Sequence, residues 1–198
     1  NIIKNKFFII FFIFIFQNQT ISHSIEPRIF ISEVIDEAKK ILIASNSKEV
    51  KEKKLSEMAL RVADINGIGM YSLGSYKKTL NENQLKEYNV LFQQYFLKSF
   101  TSRLADYSDP KIEVLSSEKL NTKYTMVRSV LLATDQRPEV KIDWRVYTAN
   151  IDKPLIRDLI VEGLSLARTQ KEEFSSIIGS NDGDITKLFI VLKDFIKK

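Results

Sequence analysis

The spacing of apolar residues changes twice along the chain. From Pro27 to about residue 107, apolar positions recur every three or four residues, which predicts helices. The first helix is predicted to begin at Pro27 and the second near Lys48. We expect Gly67 and Gly69 to end the second helix and to let it approach the following helix closely. Between residues 112 and 162 the pattern alternates, which predicts strands. Helical spacing then resumes and continues to the end of the chain.

The most distinctive helix is predicted to begin after Asn81, with Gln84 three residues later as a capping box requires. Its aromatic and apolar residues recur every four positions and form a broad face that must be buried. The face comprises Tyr88, Phe92, Phe96, Phe100 and Leu104. Most of these side chains are interpreted as core, and part of the face is a candidate wall for an apolar ligand.

The alternating stretch predicts about four strands joined by short turns. They begin near Ile112, Tyr124, Val140 and Leu155. In the third, Val140, Ile142, Trp144 and Val146 share one face, as in a half-buried antiparallel strand. The other face carries Lys141, Asp143, Arg145 and Tyr147. The expected fold class is therefore α+β, with helices packed on a curved antiparallel sheet.

The first 24 residues have the composition of a signal peptide. Lys4 and Lys6 precede ten consecutive Phe and Ile residues, Phe7 to Phe16, and small polar residues follow. Ten apolar residues are short for a membrane span, which needs about 20. We expect residues 1–24 to be cleaved, and residues 25–198 to form a single exported domain. A retained anchor is the alternative.

Composition excludes several kinds of chemistry. The chain has no Cys, and its one His, His23, lies in the predicted signal peptide. A His-dependent or Cys-dependent nucleophile and a zinc site are therefore not expected, and no metal, cofactor or catalytic residue is assigned. Removing Lys4 and Lys6 from the 30 basic residues leaves 28 against 25 acidic ones, a net charge of +3. With no basic aromatic surface evident, nucleic acid is not an expected partner.

Two motifs carry a family resemblance. The first contains Leu73-Gly74, Tyr76, Gln84 and the aromatic residues of the long helix. The second contains Asp158, Glu162-Gly163, Ser165 and Phe174. Together, in this order, they resemble the MlaC family of periplasmic phospholipid-binding proteins, to which toluene-tolerance auxiliary proteins also belong.

The resemblance implies a carrier with a deep apolar lipid cavity between the sheet and the helices, and no enzymatic activity. It also implies three partners: phospholipid as cargo, an inner-membrane ABC transporter of the Mla type, and an outer-membrane lipoprotein complex. Such a shuttle maintains the lipid asymmetry of the outer membrane. Candidate lipid-binding walls are Met70, Leu73, Phe92, Phe96, Val130, Leu132, Trp144, Val146, Ile160, Val161 and Leu164.

Two other functional classes stay open from the sequence. An α+β enzyme with a cavity would use Asp143, Asp158 or Glu162 as its carboxylates. Because no His or nucleophile accompanies them, a structural role for Asp158 and Glu162 is favoured, through backbone donors or Arg145, Arg157 or Arg168. A periplasmic interaction module with a solid core and no ligand is the second alternative.

Overall fold

Helices flank a central sheet in the computed structural model, which describes residues 25–198. The predicted signal peptide, residues 1–24, lies outside the described residues. Four helices precede the sheet and two follow it in this range. Their bounds are α1 Pro27–Ile43, α2 Lys48–Val62, α3 Ile65–Ser72, α4 Glu82–Leu104, α5 Leu166–Gly179 and α6 Ile185–Lys197, with a 3₁₀ turn at Gly74–Lys78. None of the helices described is both long enough and apolar enough to cross a membrane.

The sheet is an antiparallel meander, so its strands lie side by side in chain order. The strands are β1 Ile112–Lys119, β2 Tyr124–Leu131, β3 Val140–Tyr147, β4 Leu155–Val161 and β5 Leu164–Ser165. The predicted α+β class is confirmed. The sheet has five strands where about four were expected, because β5 spans two residues and is too short to show an alternating pattern.

The helix starts follow the capping chemistry of the sequence. The Asn81 carboxamide oxygen accepts the Gln84 N–H at 2.9 Å, and the Gln84 side chain accepts the Asn81 N–H at 3.0 Å. This reciprocal capping box satisfies two donors that an α-helix leaves unpaired at its start. The carboxylate of Asp184 caps α6 by accepting the Thr186 N–H. The predicted capping box is confirmed.

The expected helix stop at Gly67 and Gly69 is wrong, because both residues lie inside α3. The second helix ends earlier, at Val62, and Asp64 caps α3 by accepting the Gly67 N–H at 2.8 Å. Gly69 does allow a tight approach: a Cβ atom there would lie 2.6 Å from the ring of Phe92 on α4. This contact draws α3 and α4 together.

Two apolar clusters stabilise the described chain. The helical core is formed by α3, α4, α5 and α6, with Tyr88, Phe92 and Leu188 among its fully buried residues. The sheet core joins the helix-facing side of the sheet to α1 and α2 through residues such as Leu55 and Val127. Half-buried Ala63, between α2 and α3, packs against both clusters.

Candidate functional site

Strand register shows which residues share the helix-facing side of the sheet. Trp144 on β3 lies opposite Val127 on β2 and Leu159 on β4. Because directly paired residues point to the same side of a sheet, these three side chains lie on one face. Val127 and Val146, also on this face, are fully buried in the sheet core.

The helices leave part of this apolar face incompletely covered. Ile142 and Trp144 on β3, and Leu159 and Val161 on β4, are only half-buried. Leu164 on β5 pairs with Val161 and keeps 59% of its surface exposed. We call these five residues the apolar strip. Its side chains have unused apolar surface that a ligand could cover.

Trp144 is held in place within the apolar strip. Its indole N–H donates to the hydroxyl oxygen of Ser129 at 2.9 Å, and that hydroxyl donates to the carbonyl oxygen of Ile142 at 2.7 Å. Ser129 is almost fully buried, so these two bonds give its hydroxyl and the Trp144 N–H hydrogen-bond partners inside the protein. The strip therefore presents an apolar surface with a fixed aromatic ring.

The aromatic face of α4 extends from one cluster to the other. Tyr88 and Phe92 are buried in the helical core, and the partly buried Phe96 packs against it. Half-buried Phe100 stacks on Phe96 with ring centroids 5.9 Å apart, and Leu104 packs against the sheet core. Tyr88 and Phe92 are therefore core residues, as interpreted from the sequence. Phe96 and Phe100, further along the aromatic face, are only partly covered.

The structure does not gather the eleven sequence-predicted walls around one cavity. Leu73 and Phe92 are buried in the helical core, with Met70 and Phe96 partly buried against it. Four others lie on the helix-facing side of the sheet: Trp144, Val146, Val161 and Leu164. Register places Val130 and Ile160 on the opposite side, and Leu132 follows the end of β2. The eleven residues therefore lie in different parts of the fold, and their contact with a lipid stays a prediction.

Sequence reasoning missed two members of the apolar strip. Ile142 shares the alternating pattern of β3 with Trp144, so the signal was available and pointed to this residue. Leu159 could not be assigned, because a shift in register between Arg145 and Val146 changes the pairing of β3 with β4. That irregularity leaves no mark in the hydrophobic pattern.

The candidate catalytic carboxylates are all held by structural contacts. Asp158 is buried; it accepts the Ser165 hydroxyl at 2.6 Å and the Ala167 N–H at 3.0 Å, which fixes the start of α5. Glu162 accepts the Lys141 N–H, and Asp143 forms an ion pair with Arg128 at 3.1 Å. Within residues 25–198, His, Cys, Asp and Glu form no group of three able to hold a metal ion.

Two tyrosines of α4 have shifted acid–base behaviour. Burial raises the pKa of Tyr88, whose hydroxyl donates to the Gly69 carbonyl at 2.8 Å, and nearby Tyr95 adds to the effect. Burial also raises the pKa of Tyr95, with the charge of Glu173 as a further cause. Both phenols are therefore neutral at physiological pH, which suits an apolar environment.

The fold is α+β, with helices packed on an antiparallel meander. The helices leave an apolar face of the sheet half-covered, which suits the binding of an apolar ligand. The sequence model of the MlaC protein family matches residues 32–194, and the chain belongs to this family. No curated protein sequence matches it.

A solved structure shares the fold. A phospholipid-binding protein from Ralstonia solanacearum, in complex with a phospholipid, superposes with a TM-score of 0.74. The similarity covers 87% of this chain and 98% of that one, at 16% sequence identity. The resemblance to the MlaC family stated from the two motifs is thereby confirmed.

Proposed function

We propose that this protein is a periplasmic carrier of phospholipids. It takes up a lipid at one membrane, covers the acyl chains, and releases the lipid at the other. Its partners are an inner-membrane ABC transporter of the Mla type and an outer-membrane lipoprotein complex, and its role is to maintain outer-membrane lipid asymmetry. Membership of the MlaC family supports this proposal.

The observation that carries the proposal is the half-covered apolar strip. A phospholipid cannot cross water unaided, because each exposed CH₂ group costs about 0.8 kcal/mol. Two acyl chains of about 15 groups each would cost on the order of 20 kcal/mol. Ile142, Trp144 and Val161 supply an apolar surface against which such chains can be buried.

We infer that the acyl chains lie on the apolar strip, with Phe100 of α4 as a further contact. Val146 is a poor candidate for direct contact, because it is already fully buried in the sheet core. The carrier needs no catalytic group, and the structural engagement of Asp143, Asp158 and Glu162 agrees with that. The phospholipid-binding protein of the same fold is a further support.

A transfer assay tests the carrier function. Donor vesicles hold a fluorescent phospholipid at self-quenching density, and acceptor vesicles lie beyond a dialysis membrane that passes the protein but not vesicles. We expect fluorescence in the acceptor chamber to rise in proportion to protein concentration. Transfer no faster than with an equal mass of a protein that binds no lipid would overturn the proposal.

A matched pair of variants locates the binding surface. Val161→Trp fills the apolar strip, and we expect it to slow transfer at least about fivefold, because the added ring occupies space the acyl chains need. Ile190→Trp makes a similar enlargement on α6 at a residue that is 51% exposed, and should transfer at the wild-type rate. Equal rates for the two variants would place the lipid elsewhere.

A further inference from the structure

A cleft of about 440 Å³ lies on the side of the sheet opposite the apolar strip. Its floor includes Ile68 of α3 and Ala167 of α5, both members of the helical core. Its walls come from β3, β4 and the hairpin between β1 and β2, and include Arg145 and Tyr124. A cleft of this size accommodates a small molecule.

The guanidinium group of Arg145 is the least engaged charge in this cleft. Its side chain is 40% exposed, and its charged contact is Asp158, 3.9 Å away. Across residues 25–198 no protein acceptor takes a hydrogen bond from it. Arg157, in the same cleft, donates to Asp64 at 2.6 Å and to the Tyr124 hydroxyl at 3.2 Å, and it lies over the Tyr147 ring. The guanidinium group of Arg157 therefore has protein partners, whereas that of Arg145 can donate hydrogen bonds to a ligand.

The acceptors around Arg145 are already in use. The Asp158 carboxylate accepts from Ser165 and from the backbone of Ala167. The side-chain oxygen of Asn121 accepts two backbone N–H groups, at 2.8 and 3.0 Å, and the Tyr124 oxygen accepts from Arg157.

Several hydrogen-bond donors in the same cleft have no acceptor within residues 25–198. The Asn121 amide N–H groups and the Tyr124 O–H donate to no other residue in the part of the chain that the structure describes. Because the free groups are donors, a ligand that matches them must supply acceptors.

We propose that this cleft is an anion site, in which Arg145 forms a bidentate contact with a phosphate or carboxylate group and Asn121 and Tyr124 donate further hydrogen bonds. The planar guanidinium group matches such anions in geometry as well as in charge. The anion is either free in solution or part of a lipid headgroup. The inference does not require the carrier function, since the cleft and the apolar strip lie on opposite sides of the sheet.

Titrations followed by ¹H–¹⁵N NMR test the site. Uniformly ¹⁵N-labelled protein, residues 25–198, receives sodium phosphate, sodium succinate or monomeric dihexanoyl phosphatidylglycerol, with sodium chloride balancing ionic strength. We expect the amide signals of Asn121, Tyr124 and Arg145 to shift and saturate with at least one of these probes. The same spectra show whether each protein sample is folded.

Two variants and one control isolate Arg145. Arg145→Met should weaken binding at least about tenfold, because a charge-assisted bidentate contact is lost. Arg145→Lys keeps the positive charge but lacks the planar guanidinium group that forms a bidentate contact, so it should give an intermediate affinity. Arg128→Met is the control, since Arg128 lies on the same side of the sheet, is 46% exposed and is ion-paired with Glu118. It should bind as the wild type does.

The two sources of the anion give different results. Saturable shifts with phosphate or succinate would support a site for a free anion, and shifts with the phospholipid alone would support a headgroup site. No saturable shift at the cleft with any of the three probes would overturn the proposal, as would equal affinities for wild type and folded Arg145→Met. Loss of vesicle transfer with cleft binding intact would count against the carrier function alone.

Discussion

The indole N–H of Trp144 on β3 donates a hydrogen bond to the hydroxyl oxygen of Ser129 on β2, 2.9 Å away. Ser129 in turn donates to the Ile142 carbonyl, so one hydroxyl joins the aromatic ring to the backbone of the same strand. The pair gives the apolar strip a fixed shape without leaving an unpaired polar group on it.

Replacing Ser129 with Ala should destabilise the protein by about 2 kcal/mol. The change removes both hydrogen bonds and leaves the Trp144 N–H without its partner beside an almost fully buried residue, while the Ile142 carbonyl still faces residue 129 in the strand pairing. Urea unfolding followed by the fluorescence of the one Trp measures the free energy of unfolding. Ser116→Ala on exposed β1 is the control and should change it by less than about 0.5 kcal/mol. Similar losses for the two variants would contradict the described network.

Replacing Asp158 with Ala should lower the free energy of unfolding by about 3 kcal/mol. The side chain accepts a hydroxyl and a backbone N–H at the start of α5, and removing it leaves both donors unsatisfied. The effect should be seen in urea unfolding monitored by far-UV circular dichroism. Asp135→Ala, at an exposed turn residue, serves as the control. An Asp158→Ala protein as stable as the wild type would contradict the structural role of these two hydrogen bonds.

Replacing Tyr88 with Phe should have an effect that depends on pH. At pH 8 the variant loses the hydrogen bond to Gly69 and about 1 kcal/mol of stability. Burial raises the pKa of Tyr88 above that of an unfolded tyrosine, about 10. The wild type therefore loses stability as the pH rises above about 10, when unfolding allows the phenol to ionise, and the variant lacks this loss.

The measurement compares urea unfolding of the two proteins at pH 8 and pH 11. The difference in the free energy of unfolding should shrink or disappear at the higher pH. Tyr107→Phe, which removes a hydroxyl from a residue that is 41% exposed, is measured in parallel as the control. A gap between wild type and Tyr88→Phe that is the same at both pH values would contradict the burial of this phenol.

Replacing Gly69 with Ala should destabilise the protein by about 1–3 kcal/mol. The new methyl group would lie 2.6 Å from the Phe92 ring, so α3 and α4 must move apart or the ring must leave its rotamer. Gly179→Ala is the matched control at the last residue of α5, where the nearest atom is 3.5 Å away. Thermal unfolding should show a lower midpoint for the first variant and an unchanged or higher one for the second.

The elements with strong local chemistry could be predicted from the sequence. The capping box at Asn81 and the alternation of β3 depend on neighbouring residues, so the pattern alone located them. The pattern predicts a helix end where α3 lies, because glycine usually interrupts helices and this segment contains Gly67 and Gly69. Here the Asp64 cap and the packing of Gly69 against Phe92 outweigh that preference.

The candidate site was less accessible to sequence reasoning, because it depends on strand register. Apolar residues on both sides of β2 and β4 gave no indication of which side faces the helices, so Val130 and Ile160 were grouped with Trp144. Arg145 and Asn121 could not be recognised as neighbours either, since their proximity results from the hairpin and sheet together.

Native mass spectrometry of the protein purified from periplasm without detergent tests the central claim most directly. The account predicts phospholipid-sized mass adducts that organic extraction removes, with reduced occupancy in Val161→Trp and wild-type occupancy in Ile190→Trp. Val161 suits this test better than the fully buried Val146, whose enlargement would disrupt the sheet core. A clean ligand-free mass, with no lipid taken up from vesicles, would contradict the account and favour an interaction module with a solid core.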